Sequence, residues 1–274
     1  MLLNHNKFEL IQFKPTNNNK SLSLLQNLPF SEIYSYYQLP NDEYLQPSNV
    51  VKDLGIHIDN KLDWNVHIFQ ICNKARRTSG WILNTFKSRD RVTMTTLFNS
   101  LIRPILEYNC EIWSPFKLKD INEIENIQRS FTHRIKGMTE KNYWERLESL
   151  KIESLQRRRE KIAILNVWKM EHKLTPNSVN FSFKFHERSQ SNKAILPPLP
   201  KTNCRLLNKY EESFAIKGAK LWNILPPTLT RIPNINIFKS SLKTFLGKLP
   251  DKPPLDGYSR TNNNSLLEIA GISR

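Results

Sequence analysis

Cysteine is scarce and scattered in this chain of 274 residues: Cys72, Cys110 and Cys204, with no C-x-x-C pair among them. That spacing signals neither a disulfide framework nor a zinc site, and a reducing compartment is its natural setting. Long apolar runs are missing too. Nothing reaches the roughly 18 apolar residues of a membrane span, and the segment after Met1 lacks the apolar core of a signal peptide. The expectation is an intracellular protein, nuclear or cytoplasmic, with no membrane association. The signatures of common catalytic sites are also absent: no H-E-x-x-H, P-loop, G-x-S-x-G or G-x-G-x-x-G occurs. Polymerases and nucleases that use two metal ions need carboxylates converging on one point. The local pairs are Asp59 with Asp63 flanking a turn, Glu107 with Glu111 facing outward at a helix end, and Glu123 with Glu125 diverging around a helix. Each reads as a cap or a solvated face. His133 has no second His or Cys at ligand spacing. No catalytic residue, metal ligand or cofactor is therefore expected within this chain.

The last deficit is in acidic charge. There are 25 Asp and Glu against 41 Lys and Arg, a formal net charge of +16. An excess of that size favours a polyanionic partner, and phosphate backbones are the commonest one. What is present supports a folded protein: 39% hydrophobic residues in a chain long enough to bury a sizeable core.

Alternation in "KFELIQFK" (residues 7–14) predicts one strand, followed by a turn or loop at "PTNNNKSLS". Residues 26–49 follow no period and read as irregular chain. "VVKDLGIHIDNKLDW" (residues 50–64) predicts a hairpin arm, with Gly55 at a bulge or a close backbone approach, then an Asp-Asn-Lys turn. Asp63 is placed to cap a helix to about Phe86, with Trp64, Ile68, Ile71, Ala75, Ile82 and Phe86 on its apolar stripe. A second helix is expected over 90–109, burying Leu97, Leu101, Ile105 and their neighbours, and kinked at Pro104. A third is expected over 120–136, opened by an Asp120/Glu123 capping box and stopped by Gly137, with Ile121, Ile124, Ile127 or Gln128, Phe131 and Ile135 inward. Short loops between three such helices give a small bundle. Beyond it come a short helix, a long one over 154–174, a loop near 175–206 with a short strand at "FSFKF", two further helices, and a tail from Pro250 that reads as mobile. The fold class is mainly α, with a small β edge.

The cations cluster on helices. Asn122, Asn126, Arg129, His133 and Lys136 share one face of the third helix. Lys74, Arg76 and Arg77 flank the stripe of the first, and Arg157, Arg158, Arg159 and Lys161 open the long later helix. Any one cluster is what a solvated face carries. Single-sign clusters on three helices point to a nucleic-acid track without base-specific reading. Trp113, Tyr143 and Trp144 are candidates for base stacking, whereas Trp168 reads as core.

Four stretches carry a resemblance: "VVKDLGIHIDNKLDWNVHIFQICNKARRTSGWILNTFKSRD", "LFNSLIRPILEYNCEIWSP", "DINEIENIQRSFTHRI" and "YWERLESLKIESLQRRREKIAILNVWKM". In this order they resemble the C-terminal part of reverse transcriptases (RNA-directed DNA polymerases) of non-LTR retrotransposons, transposable elements of the jockey-like and related LINE lineages. The resemblance implies four regions: palm remnant and primer-grip strands over 1–60, with Leu54 and Gly55 as the grip dipeptide; a thumb-like three-helix bundle over 61–140; a helical extension over 141–250; and a mobile tail over 251–274. It implies a template–primer duplex of RNA or DNA as partner, with the upstream polymerase domains a second candidate. The family's aromatic-x-Asp-Asp turn should precede "NKFELIQF" and does not appear, nor does a C-terminal Cys/His knuckle. A full-length relative would need a divalent metal such as Mg. The expectation is a truncated, non-catalytic product that still holds nucleic acid. Two alternatives stand beside it: a repurposed protein–protein interaction module, and a mis-started gene model of a full-length active enzyme.

Overall fold

Backbone hydrogen bonding sets out the β edge first. The computed structural model describes residues 8–13, 45, 47–175, 183–186, 192–198, 205–253 and 264–271. Of the strand expected over 7–14, residues 7 and 14 lie outside the described residues. Leu10–Ile11 (β1) pairs in parallel with Pro47–Ser48 (β2). The irregular chain expected over 26–49 lies mostly outside the described residues as well. Val50–Asp53 (β3) and Ile56–Asp59 (β4) form an antiparallel hairpin in unbroken register, Asp53 opposite Ile56. Its two turn residues, Leu54 and Gly55, have φ of +45° and +88°. A two-residue turn of this kind needs positive φ at both positions, easy for glycine and strained for leucine. Gly55 is thus the second turn residue, and the expected bulge is corrected. Asp59 then organises the exit. Its carboxylate accepts from the backbone N–H of Lys61 at 2.9 Å and of Asp63 and Trp64, each at 3.0 Å.

The helix that follows, α1, spans Asn65–Thr85. Near its start the backbone N–H of His57 donates to Nδ1 of His67 at 3.3 Å. Burial, and then the neighbouring His57, hold the His67 imidazole down at about 4. The sign of the linkage follows. Between the ordinary 6.5 and about 4 the unfolded chain takes up a proton that the folded one refuses, so stability falls as pH falls through that window. Urea unfolding followed by circular dichroism from pH 7 to 4 should show a steeper acid loss in the native protein than in His67→Gln. Parallel curves would remove His67 as the cause.

The chain divides into two compact units, one of residues 1–70 with 202–206 and the other of 71–201 with 207–274. The divisions fall inside α1 and inside α8 (Arg205–Glu211). Residues 71–140 of the expected bundle fall in the second unit with all of the expected extension over 141–250 except 202–206, while residues 61–70 fall in the first.

In that unit, Asp90 caps α2 (Arg91–Leu97) by accepting from the backbone N–H of Thr93 at 3.0 Å. The helix continues through a π-helical turn, Phe98–Ile102, into α3 (Arg103–Glu107), and after a left-handed Asn109 into α4 (Cys110–Trp113). Met94, Phe98, Ile102, Leu106 and Cys110 are buried, every fourth residue. The expected stripe named Leu97, Leu101 and Ile105 with their neighbours: the neighbours Phe98, Ile102 and Leu106 form the buried face, the named three lie one residue off it, and Leu101 is exposed. In an uninterrupted α-helix a spacing of four drifts by about 40° per step. The wider π turn takes up that drift. It sits immediately before Pro104, where the missing N–H was expected to break the ladder, and Arg103 reaches back five residues to the carbonyl of Phe98.

Helix α5 (Leu118–His133) begins after Lys117, earlier than the expected Asp120 cap, and Asp120 sits buried in its first turn. Glu123 pairs with Arg76 instead of closing a capping box. The buried face is Ile121, Ile124, Ile127, Gln128 and Phe131, as the periodicity predicts, and the Phe131 and Phe98 rings lie 5.2 Å apart. Helix α6 (Tyr143–Leu150) opens with an Asn142/Glu145 capping box, and Ser154 caps α7 (Leu155–Glu171). With α9 (Phe214–Asn223), α10 (Pro227–Thr230), α11 (Ile235–Gly247) and α12 (Leu266–Ile269), α7 builds a core around Trp168, Trp222 and Phe238. Both indole N–H groups are satisfied at 2.9 Å, by the carbonyls of Ile232 and Asn192. At "FSFKF" residues 181 and 182 lie outside the described residues, and Phe185 makes a single bridge to Ala194.

The N-terminus of α7 is where the second unit is sewn together. Asp251 accepts from both the backbone N–H and the hydroxyl of Ser154 at 2.7 Å, and Asn264 donates to the same hydroxyl at 2.7 Å. Glu125 accepts from the N–H of Leu155 at 3.2 Å and from the Tyr143 hydroxyl. Glu160 accepts from the Ser265 hydroxyl at 2.6 Å and the N–H of Leu266 at 2.9 Å. Burial pushes the carboxyls of Glu125 and Asp251 up, against the pull of these donors. The tail expected to be mobile is therefore anchored wherever it is described.

Candidate nucleic-acid interface

The expected cations do not share one environment. Arg157 is fully buried, donating to the carbonyls of Leu246 at 3.3 Å and Pro250 at 2.8 Å, with its Nε 3.9 Å from Asp251. Arg159 is buried too and donates to Gln156 at 2.9 Å. Arg158 is paired with Glu107 and Glu153, and Lys161 with Glu153. This is a correction: the "RRR" run opens a helix into the core, and its charges serve packing. The carboxylates follow the same pattern. Glu107 faces Arg158 and Glu111 accepts from Asn166, so neither points outward as expected, and Glu125 is interior.

The stacking candidates are corrected as well. Trp113 is fully buried with its indole N–H on the carbonyl of Tyr108 at 2.8 Å, and Tyr143 is interior. Trp144 is half-buried against Tyr143, with ring centroids 4.9 Å apart. Burial drives the thiols of Cys72 and Cys110 up to about 11 and about 12, which makes them poor nucleophiles. Among the described residues no three His, Cys, Asp or Glu come together as metal ligands, and no helix is long and apolar enough to cross a membrane.

The remaining cations are at the surface. Lys74 and Arg77 are exposed on α1, and Arg76 is exposed but paired with Glu123. Arg129 on α5 lies over the Tyr143 ring, 4.8 Å from its centroid. His133 and Lys136 are exposed, and they enter a feature that residue patterns had not drawn together. An open groove of about 750 Å³ is lined by Lys87, Ser88, Arg89, His133, Arg134, Ile135, Lys136 and Thr139. Four cationic residues, one histidine and two hydroxyl residues line it, with no acidic residue among them. Its walls are the chain just past α1 and the chain just past α5, tied by the N–H of Lys136 on the carbonyl of Arg89 at 2.8 Å. Gly137, at φ +76°, lets the Arg91 guanidinium pack close: a Cβ there would lie 3.0 Å from its Nη2. The signal that sequence reasoning passed over was "FKSRDR" (residues 86–91), a cation-dense stretch just past a helix end.

Leu54 and Gly55 stand at the hairpin tip, and Leu54 is 81% exposed, a large apolar side chain held in strained backbone with no burial to reward it.

No family model matches the chain, and no solved structure does. An uncharacterized protein of Caenorhabditis elegans, B0403.1, is 26% identical over 136 residues, covering 48% of this chain and 67% of that protein.

Proposed function

We propose that this chain is a nucleic-acid-binding protein related to the thumb and C-terminal region of non-LTR reverse transcriptases, holding a template–primer duplex by its backbone without reading its sequence. The observation that carries this reading is the groove between residues 87–89 and 133–139, whose polar lining offers cations and hydroxyl donors and no carboxylate. Phosphate oxygens want that set of groups, and charges so concentrated in a concavity act together. Lys74 and Arg77 extend the positive surface along α1. The hairpin that feeds a long helix, followed by helices in the same order, agrees with the resemblance. Polymerisation forms no part of the proposed activity.

Binding of a fluorescein-labelled 20-base-pair RNA–DNA duplex should weaken steeply with salt. Each neutralised phosphate contributes about −0.9 to the slope of log K against log salt, so Lys87, Arg134 and Lys136 alone give roughly −2.7. The triple change Lys87→Ala, Arg134→Ala, Lys136→Ala should flatten the slope by about 2.5. An unaltered slope would take the groove out of the interface. A partner complex that survives both high salt and nuclease would favour the protein-interaction alternative.

A further inference from the structure

The groove holds more charge than a passing diester needs, and its cations have few other tasks. Helix ends explain some of them. Both α1 and α5 finish beside it, and a cation near a helix C-terminus is worth about 0.3–1 kcal/mol to that helix. Arg89 does this visibly, with one guanidinium nitrogen on the carbonyl of Leu83 in the last turn of α1. Its other terminal nitrogen, Nη1, is buried without a hydrogen-bond partner. Among the described residues Lys87, Arg134 and Lys136 form no ion pair. The nearest acid in sequence to Lys87, Asp90, is occupied as the cap of α2, and the exposed Glu140, nearest to Arg134 and Lys136, pairs with neither. Helix capping thus accounts for Arg89 and leaves three cations, His133 and the hydroxyls of Ser88 and Thr139 facing one concavity.

An internal phosphodiester brings one negative charge. A phosphate monoester brings about −1.5 to −2 at pH 7 and three strong acceptor oxygens. Cations crowded into a single concavity, rather than spaced along a track, match the second better than the first. The backbone tie between Lys136 and Arg89 fixes the spacing of the two walls in advance, which lowers the cost of gathering the charges around one ligand.

We propose that this groove is a subsite for the terminal phosphate monoester of a nucleic-acid strand. The inference rests on the nucleic-acid reading above and adds to it a preference for a phosphorylated end. A dianion in the groove engages Lys87, Arg134 and Lys136 as charge-assisted donors, with Ser88 and Thr139 supplying neutral ones.

The test compares internally labelled 20-nucleotide strands, alone and in duplex, carrying a 5′-phosphate, a 3′-phosphate or hydroxyls at both ends. Fluorescence anisotropy at fixed salt should show one phosphorylated end bound about tenfold more tightly than hydroxyl ends, the gain expected for one added hydrogen bond to a charged group. Inorganic phosphate at millimolar concentration should erase the difference. The double change Lys87→Ala, Arg134→Ala should equalise the three strands, with circular dichroism confirming the fold. If that variant does not fold, the surface change Lys136→Gln serves instead and should narrow the difference. Equal affinity for all three strands in the native protein overturns the subsite and leaves the nucleic-acid reading standing. Absence of binding to any strand overturns that reading itself. A preference that persists in the folded double variant also overturns the subsite, because the phosphate then binds elsewhere.

Discussion

Replacing Arg157 with alanine should come close to unfolding the second unit. The side chain is buried, its guanidinium satisfies the carbonyls of Leu246 and Pro250, and it stands beside Asp251. Removing one partner of a buried charged pair costs about 3–5 kcal/mol, and the lower end applies here because Asp251, 24% exposed, keeps its hydrogen bonds from Ser154 and Asn264. Set against a typical total of about 5–15 kcal/mol, that is a large share. Arg157→Lys should also be costly, since a single ammonium cannot span two carbonyls as a planar fork does. The exposed Arg77→Ala should change stability by less than about 0.5 kcal/mol. Urea unfolding by circular dichroism measures all three. A loss under about 1 kcal/mol for Arg157→Ala, accompanied by weaker nucleic-acid binding, would return this residue to the surface track.

The second large effect is an insertion. Ser100 is exposed in the π-helical turn, its hydroxyl on the carbonyl of Thr96 at 2.7 Å. A π turn holds one residue more than the α turn it replaces, so deleting Ser100 restores α-helical winding and keeps Ile102, Leu106 and Cys110 on nearly the same face. Inserting one alanine after Ser100 instead adds a residue to a turn that already carries its extra one, and rotates everything beyond it by about 100°. Ile102, Leu106 and Cys110 would leave the core, and each large aliphatic side chain so exposed costs about 1.5–3 kcal/mol. The insertion is therefore expected to lose about 4 kcal/mol or more, and the deletion less than about 1. Equal stability of the two variants would mean that the helix re-phases freely, and that the every-fourth-residue face carries no constraint.

These two sites also show where the sequence could be read and where it could not. Periodicity gave α5 its buried face because Ile121, Ile124 and Phe131 obey plain α-helical spacing. It put the α2–α3 face one residue off because a π turn changes the local period, and Pro104 announced a disruption without saying which kind. Arg157, Arg158 and Arg159 looked solvated because the groups that satisfy them include Glu107, Leu246, Pro250 and Asp251, roughly 50 to 95 residues away in the chain. No local window contains them. Asp251, Asn264 and Ser265 read as mobile tail for a related reason: polar residues that anchor by hydrogen bonds have the composition of loops. The groove was half legible. His133 and Lys136 showed on the polar face of the expected third helix, and Arg134 stands between them in the chain, whereas Lys87 and Arg89 come beside them only once the chain past α1 has packed against the chain past α5.

The seam at the start of α7 has a consequence in time. Ser154 meets its acceptor 97 residues later in the chain, and Glu160 meets the N–H of Leu266 across 106. A ribosome adding about 5–20 residues per second takes roughly 5–20 s to cover such a stretch. Throughout that interval α7 can wind, but Arg157, Glu160 and Ser154 have no distant partners to meet. Completion of the second unit therefore waits on synthesis, and the half-made protein presents unpaired interior charges to whatever surrounds it. A nascent chain stalled at residue 245 should be protease-sensitive across α7, and one stalled far enough along to release residue 271 from the exit tunnel should be protected.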